Sequence, residues 1–149
     1  MKTYGLIGFP LSHSFSKKYF TEKFQNEGIT DRQYELFPIE NIKSLADLLA
    51  ENQSLCGLNV TIPHKVGVLP FLNEIEEAAE KIGAVNCICI KRFEGETYLK
   101  GFNTDAYGFQ KSLEPYLKPH HAQALILGTG GASKAAICCQ SVVAQKAQA

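Results

Sequence analysis

Short apolar segments alternate with amphipathic segments along most of the chain, and this alternation is what most limits the possible fold. Segments with the length and the aromatic or β-branched content of strands lie at 4–9, 33–37, 56–62, 84–90, 96–101 and 123–128. Helical spacing of apolar residues is found at 17–27, 41–52, 64–71, 74–82, 104–117 and after the glycines at 128–131. Strands that alternate with helices predict an α/β fold with a mainly parallel sheet and helices on both faces.

Length and charge limit the kind of partner. With 149 residues, 45% of them hydrophobic, the chain is long enough for one good core but short for two complete domains. Its 15 Lys and Arg balance 15 Asp and Glu, so the sequence shows no basic surface for nucleic acid or for an anionic membrane. The N-terminus has neither the apolar region of a signal peptide nor a membrane span. We therefore expect a cytoplasmic protein whose partner is a small molecule.

The cysteines predict neither a disulfide framework nor a metal site. Their number is odd and no CxxC pair occurs among them. We interpret them as small buried apolar residues in a reducing compartment. They are Cys56, Cys87, Cys89, Cys138 and Cys139.

A glycine loop joins the apolar segment 123–128 to the helix that follows it. Gly128 permits a tight turn and Gly130 permits close approach to a pyrophosphate, whereas Ser133 stands where GxGxxG has its third glycine. An ordinary strand-to-helix turn is the alternative interpretation. The residue that separates NAD from NADP is expected about 20 positions further on, beyond this sequence. The residues of this sequence therefore do not distinguish NAD from NADP as the cofactor.

Polar side chains recur where the predicted strands end. Ser14 and Ser16 flank the start of a helix, where hydroxyls and free N–H groups either bind a carboxylate or cap the helix. Asn59 and Thr61 share one face of a strand that should be apolar on both faces. Such a polar pair needs a partner, which is either a ligand or a buried hydrogen-bond network.

Three further polar residues follow the same pattern. Lys65 lies in the first turn of a helix, where a cation opposes the helix dipole, although a solvated lysine is the ordinary interpretation. Asn86 ends the small-residue stretch GAVN, and Asp105 starts a helix, where it could simply complement the dipole. Because ligands of open α/β folds bind at the carboxyl ends of strands, the joint occurrence predicts one site.

The four histidines are not expected to transfer protons. His13 and His64 adjoin the polar residues, and we expect each to face solvent or to make a local hydrogen bond. His120 and His121 follow Pro119 and are expected to lie in a linker.

Taken in order, the motifs resemble the shikimate dehydrogenase family over nearly all of residues 4–136. They are GFPLSHSFS, GLNVTIPHK, GAVN, NTDAYGF and GTGGAS. The resemblance implies a substrate domain joined to a Rossmann-like NADP domain, and reversible NADPH-dependent reduction of 3-dehydroshikimate to shikimate in aromatic amino-acid synthesis. It implies a substrate domain at 1–103, a connecting helix and linker at 104–121, and the truncated start of the cofactor domain at 122–149.

The resemblance also assigns roles to residues. Lys65 and Asp105 match the family's catalytic pair. A lysine ammonium can stabilise the charge that develops on a ketone oxygen and supply its proton, while the aspartate orients the ammonium. The matching substrate-binding residues are Ser14, Ser16, Asn59, Thr61 and Asn86, and the matching cofactor-binding residues are Gly128, Gly130, Gly131, Ala132 and Ser133.

The C-terminal segment departs from the family, because QSVVAQKAQA does not resemble the segment that follows in its members. Two alternatives therefore stay open: a non-catalytic shikimate-binding module, and a quinate/shikimate dehydrogenase that uses NAD. The apolar segment from Ala124 to Leu127 is a strand with no sheet to complete it. Such an edge predicts self-association.

Overall fold

The computed structural model describes residues 1–118 and 123–146, with side chains in the last helix described as far as Cys139. Pro119, His120 and His121, and with them the predicted linker, lie outside the described residues. The strands are β1 (Lys2–Gly8), β2 (Arg32–Pro38), β3 (Leu55–Val60), β4 (Glu74–Ile75), β5 (Cys87–Phe93) and β6 (Glu96–Phe102). The helices are α1 (Ser16–Asn26), α2 (Leu45–Glu51), α3 (His64–Gly67), α4 (Glu77–Ile82), α5 (Asp105–Leu113) and α6 (Gly131–Lys146). Within the described part of the chain, no helix has both the length and the apolar content to cross a membrane.

The strands form one sheet in the order β2-β1-β3-β5-β6-β4. β1 is parallel to β2 and β3, and β4 is parallel to β6, whereas β5 is antiparallel to both of its neighbours. Glu94 and Gly95 join β5 to β6, and both have positive φ, as tight hairpin turns require. The predicted α/β class is confirmed. The sheet is mixed rather than purely parallel because this hairpin lies within it.

Helices cover both faces of the sheet, as predicted. On one face, Phe20 and Phe24 of α1 pack against Leu6 and Tyr34, and the Phe20 and Tyr34 rings stack at 4.5 Å. On the other face, α2, α4 and the segment after α3 cover the larger cluster, in which Ile7 is completely buried. Apolar residues on alternate sides of β1 therefore supply both layers of the core.

Two segments form a different type of structure from the one predicted. The helix expected at 74–82 begins only at Glu77, because Glu74 and Ile75 pair with β6 at the edge of the sheet. The strand predicted at 123–128 is wrong: residues 123–129 are irregular, and Leu125 and Leu127 are 83% and 85% exposed. A strand needs a partner for its N–H and C=O groups, and no described strand lies beside this segment. Self-association through Ala124 to Leu127 stays a prediction, but it now depends on exposed apolar side chains instead of a strand edge.

Arg92 ties β5 to the end of α2. Its guanidinium donates to the backbone oxygens of Leu49, Asn52 and Leu55. We expect Arg92→Lys to lower the free energy of unfolding by about 1–3 kcal/mol, because a compact ammonium lacks the wide planar fork that reaches these three carbonyls from two nitrogens. Urea denaturation followed by circular dichroism measures this. Exposed Lys91 provides the control, since Lys91→Ala should leave the midpoint unchanged. An unchanged midpoint in Arg92→Lys would contradict the assignment.

Candidate active site

The ends of three neighbouring strands meet at one edge of the sheet. β3 and β6 end there, and β5 begins there because it runs in the opposite direction. Backbone hydrogen bonds join the three: Val60 N–H donates to Asn86 O at 2.8 Å, and Asn86 N–H donates to Phe102 O at 3.0 Å. The loops after β3 and β6 and before β5 therefore bring residues that are far apart in sequence into one place.

Lys65 and Asp105 form a close ion pair at this edge. Lys65 Nζ lies 2.5 Å from Asp105 Oδ2, and the two side chains are 16% and 32% exposed. Lys65 comes from the short helix α3 after β3, and Asp105 is the first residue of α5 after β6. The pair is thus partly desolvated, which strengthens the interaction, yet a ligand can still reach it.

Asn86 fixes the second oxygen of the same carboxylate. Its amide nitrogen Nδ2 donates to Asp105 Oδ1 at 2.7 Å and to Thr104 Oγ1 at 2.9 Å, while Oδ1 accepts from Thr104 N–H at 2.9 Å. Asn86 is 9% exposed. Asp105 therefore has one oxygen held by an amide and the other by an ammonium, which sets the plane of the carboxylate.

Asn103 caps α5 and so places Asp105. The Asn103 Oδ1 atom accepts from Asp105 N–H at 3.0 Å and from Ala106 N–H at 3.3 Å, and Nδ2 donates to Ala84 O at 2.9 Å. A capping asparagine leaves the following aspartate free to turn towards Lys65. Asp105 is therefore more than a partner of the helix dipole.

A second group of polar side chains continues from this pair towards β2. Tyr34 Oη donates to Asn59 Oδ1 at 2.7 Å, and Asn59 Nδ2 donates to Cys87 Sγ at 3.1 Å. Cys87 Sγ in turn lies 3.8 Å from Thr104 Oγ1. Burial raises the pKa of Tyr34 to about 12, which keeps its phenol neutral. Burial likewise raises the pKa of the Cys87 thiol, although the hydrogen bond with Thr104 opposes this.

Sequence reasoning missed Tyr34 and Cys87 and used Thr104 only to start a helix. Tyr34 belongs to a strand whose composition is ordinary, and Cys87 was grouped with inert apolar cysteines. The signal that could have found Cys87 is the strand register, which places it directly opposite Asn59. Of the five free cysteines only Cys139 is fully buried, so the interpretation as buried apolar residues holds for Cys139 alone.

The two serines have different partners. Ser14 Oγ accepts from Ser16 N–H at 3.3 Å, which is the capping role that the sequence left open. The Ser16 hydroxyl is near enough to Tyr34 to lower the phenol pKa, against the larger effect of burial.

The segment after β3 is fixed by its backbone. Thr61 N–H donates to Ile7 O at 2.9 Å, and Thr61 O accepts from His64 N–H at 2.9 Å. His64 is buried, with Nε2 2.7 Å from Ile39 O, so it neither faces solvent nor bonds locally as expected. This contact anchors α3 to the loop after β2. His13 is exposed, as expected.

The glycine loop lies directly against Lys65. A Cβ atom on Gly131 would be 2.8 Å from Lys65 Cβ and 3.1 Å from Lys65 Cδ, so only glycine allows this approach. Gly128 has φ +123° and turns the chain into α6, whereas Gly130 has open space beside it. Open backbone at the start of a 16-residue helix fits a dinucleotide pyrophosphate. Ala135 of α6 packs against Ile82 and Ala84, which holds the loop in place.

Among the described residues, no group of His, Cys, Asp and Glu is arranged to hold a metal ion. The described residues bring an ammonium, a carboxylate, amides and hydroxyls to this edge. These groups suit a ligand with several oxygen atoms. The structure brings together Lys65, Asn86 and Asp105 directly, and links Asn59 to them through Cys87 and Thr104.

Comparison with known proteins identifies the family of the chain. Residues 6–88 match the family model described as the shikimate dehydrogenase substrate binding domain. The chain is 41% identical over 135 residues to shikimate dehydrogenase (NADP(+)) of Methanosphaera stadtmanae, covering 88% of this chain and 45% of that protein.

Solved structures show a similar fold. The structure of shikimate dehydrogenase 1 from Peptoclostridium difficile superposes with a TM-score of 0.80 at 34% identity, covering 93% of this chain and 50% of that one. Shikimate 5-dehydrogenase from Thermus thermophilus, solved in complex with NADP(H) and shikimate, gives a TM-score of 0.79 at 32% identity, with 96% and 53% covered. The chain thus spans about half the length of the relatives it matches.

Proposed function

We propose that this chain, which belongs to the shikimate dehydrogenase family, binds shikimate and 3-dehydroshikimate at the edge formed by Lys65, Asn86 and Asp105. We propose further that it takes part in their NADP-dependent interconversion. The observation that carries the proposal is the Lys65–Asp105 pair at 2.5 Å, held at the ends of the strands with the glycine loop packed against the lysine. A keto or hydroxyl oxygen placed beside Lys65 Nζ would be within reach of both members of the pair.

Lys65 is the group that handles the proton. An ammonium has three N–H donors, and Asp105 uses one, so another can donate to the ketone oxygen of 3-dehydroshikimate. As negative charge develops on that oxygen, the ammonium stabilises it and transfers a proton to it. In the reverse direction the neutral amine accepts the hydroxyl proton. Asp105 keeps the amine in position throughout, because Asn86 holds its other oxygen.

The substrate hydroxyls and carboxylate need neutral donors and acceptors around this pair. We assign that role to the polar residues at the strand ends and at the start of α1. The hydroxyl of Ser14 and the N–H groups beginning α1 suit the carboxylate. Asn59 can offer an amide N–H to a hydroxyl, whereas Asn86, whose two N–H donors bond Thr104 and Asp105, can offer the second lone pair of its Oδ1. The proposed substrate-binding residues are Ser14, Ser16, Asn59, Thr61 and Asn86.

The glycine loop is the proposed place of the cofactor. The complex of the Thermus thermophilus relative with NADP(H) and shikimate supports NADP. When bound, the nicotinamide cofactor supplies or accepts the hydride. We retain a division into a substrate domain at 1–103, a connecting segment at 104–121 and the start of a cofactor domain at 122–149. The residues that would hold the pyrophosphate are Gly128, Gly130, Gly131, Ala132 and Ser133.

Steady-state kinetics on the full-length product of the gene test the proposal. The protein should oxidise shikimate with NADP⁺, and replacing shikimate by quinate or NADP⁺ by NAD⁺ should lower kcat/KM. Calorimetric titration of the same protein with shikimate distinguishes a failure of binding from a failure of catalysis. Shikimate binding without turnover would indicate a non-catalytic binding module, whereas neither binding nor turnover would overturn the whole proposal.

A further inference from the structure

A continuous chain of polar contacts crosses the candidate site and includes two side chains that no motif marks. It runs from Tyr34 through Asn59 to Cys87, and continues from Cys87 through Thr104 and Asn86 to Asp105. Tyr34 and Cys87 thus link the part of the site near α1 with the part that holds the ion pair.

The end of this chain at Asp105 has a fixed direction. A carboxylate only accepts hydrogen bonds, so the Asn86 atom 2.7 Å from Asp105 Oδ1 must be the amide nitrogen. Thr104 N–H, which only donates, lies 2.9 Å from the other amide atom and requires it to be oxygen. Both neighbours therefore give the same orientation of the Asn86 amide.

The opposite end is set by Tyr34. The tyrosine is 3% exposed and stacked on Phe20, so its hydroxyl is held in place. Its O–H donates to Asn59 Oδ1 at 2.7 Å, and as a result the Asn59 NH₂ group is turned towards Cys87. The Asn59 NH₂ group carries two donors, and Cys87 Sγ takes one of them.

Space for a ligand lies beside this amide. Tyr34, Asn59 and Cys87 line one cavity of about 400 Å³, together with Gly57 and Phe102, whereas Lys65 and Asp105 do not line it. The cavity therefore reaches the Asn59 amide from the side of α1, and the ion pair lies beyond it. The remaining Asn59 N–H can therefore meet a substrate oxygen only while Tyr34 holds the amide oxygen on the other side. An Asn59 amide turned by 180° would present an acceptor there in place of the donor.

We propose that Tyr34 is a positioning residue of the shikimate site, which holds the Asn59 amide so that it donates to a substrate oxygen, with Cys87 as the second fixed contact of that amide. This inference rests on the proposed function. In this proposal the Tyr34 hydroxyl acts on substrate binding through its hydrogen bond with Asn59.

Tyr34→Phe in the full-length gene product tests the inference, since it keeps the ring that stacks on Phe20 and removes only the hydroxyl. KM for shikimate should rise roughly 3- to 10-fold with kcat nearly unchanged, because one neutral hydrogen bond sets the orientation. Tyr98→Phe is the matched control. It also removes a hydroxyl bonded across strands, to Glu74 at 2.8 Å, but outside the site, and its KM should equal that of wild type.

Repeating the substitution in the Asn59→Ala variant distinguishes a positioning effect on Asn59 from a general effect on the structure. In Asn59→Ala, the additional change Tyr34→Phe should not alter KM further, because the group that it orients is gone. Asn59→Asp, which offers only acceptors, should raise KM at least as much as Tyr34→Phe. An unchanged KM in Tyr34→Phe, an equal rise in both backgrounds, or wild-type KM in Asn59→Asp would overturn the inference. Each of these results requires an active wild-type protein. If the wild-type protein neither binds nor oxidises shikimate, the result instead contradicts the proposed function on which this inference rests.

Discussion

Lys65→Met should lower kcat for shikimate oxidation by about 10²- to 10⁴-fold, with a much smaller change in KM. Methionine retains an apolar stem of similar length that can pack against Gly131, but it has no ammonium to stabilise or protonate the reacting oxygen. The loss therefore falls on the chemical step more than on binding. Steady-state kinetics on the full-length gene product measure both constants, and circular dichroism verifies that the variant is folded.

The control for this substitution is Lys81→Met. Lys81 also forms an ion pair at 2.5 Å, with Glu77, but both side chains are largely exposed on α4. Exposed pairs contribute little to stability, and this one lies outside the site, so kcat should stay at the wild-type value. A Lys65→Met protein with wild-type kcat would show that Lys65 does not act on the reacting oxygen.

Ile7→Ala should lower the free energy of unfolding by about 2–5 kcal/mol. Ile7 is completely buried in β1, between β2 and β3, and packs in the larger core cluster. Its carbonyl also accepts from Thr61 N–H at 2.9 Å, so loss of packing here weakens the strand that carries the site. Urea denaturation of the 149-residue chain gives the value directly.

Two further substitutions test whether the loss of stability follows the amount of buried apolar side chain that is removed. Ile7→Val removes one methylene and should cost about 0.5–1.5 kcal/mol. Leu125→Ala removes an 83% exposed side chain and should change stability by less than about 0.5 kcal/mol. If Ile7→Ala unfolded at the same urea concentration as Leu125→Ala, Ile7 would not lie in the core of the folded chain.

Local patterns in the sequence predicted most of the element order because apolar spacing reports which side of a strand or helix is buried. The polar residues at the predicted strand ends also indicated one site, and the family resemblance paired Lys65 with Asp105. The two side chains meet because β3 and β6 end at the same edge of the sheet. Asn86 lies beside Lys65 and Asp105 for a different reason from the predicted one, which placed it with residues at the ends of strands. It precedes β5, which is antiparallel, so it lies at the beginning of a strand and not at the end.

Features that depend on pairing were not predictable in this way. The positions of Tyr34 and Cys87 in the site follow from strand order and register, which local composition does not contain. The apolar segment 123–128 has the composition of a strand, yet no described strand pairs with it, so its composition alone does not form one. The Gly131 contact with Lys65 joins positions that are far apart in sequence, and it appears only once α6 packs against the rest of the chain.

Titration of the isotope-labelled 149-residue chain with shikimate, followed by backbone amide NMR, tests the central claim most directly. The site at the strand ends predicts saturable shifts that are largest in the amides around the ion pair, and little change at the turn of Glu94 and Gly95 at the opposite end of the hairpin. The amides expected to shift most are those of Thr61, Lys65, Asn86, Thr104 and Asp105. No saturable shift, or the largest shifts at Glu94 and Gly95, would contradict a shikimate site built on Lys65 and Asp105.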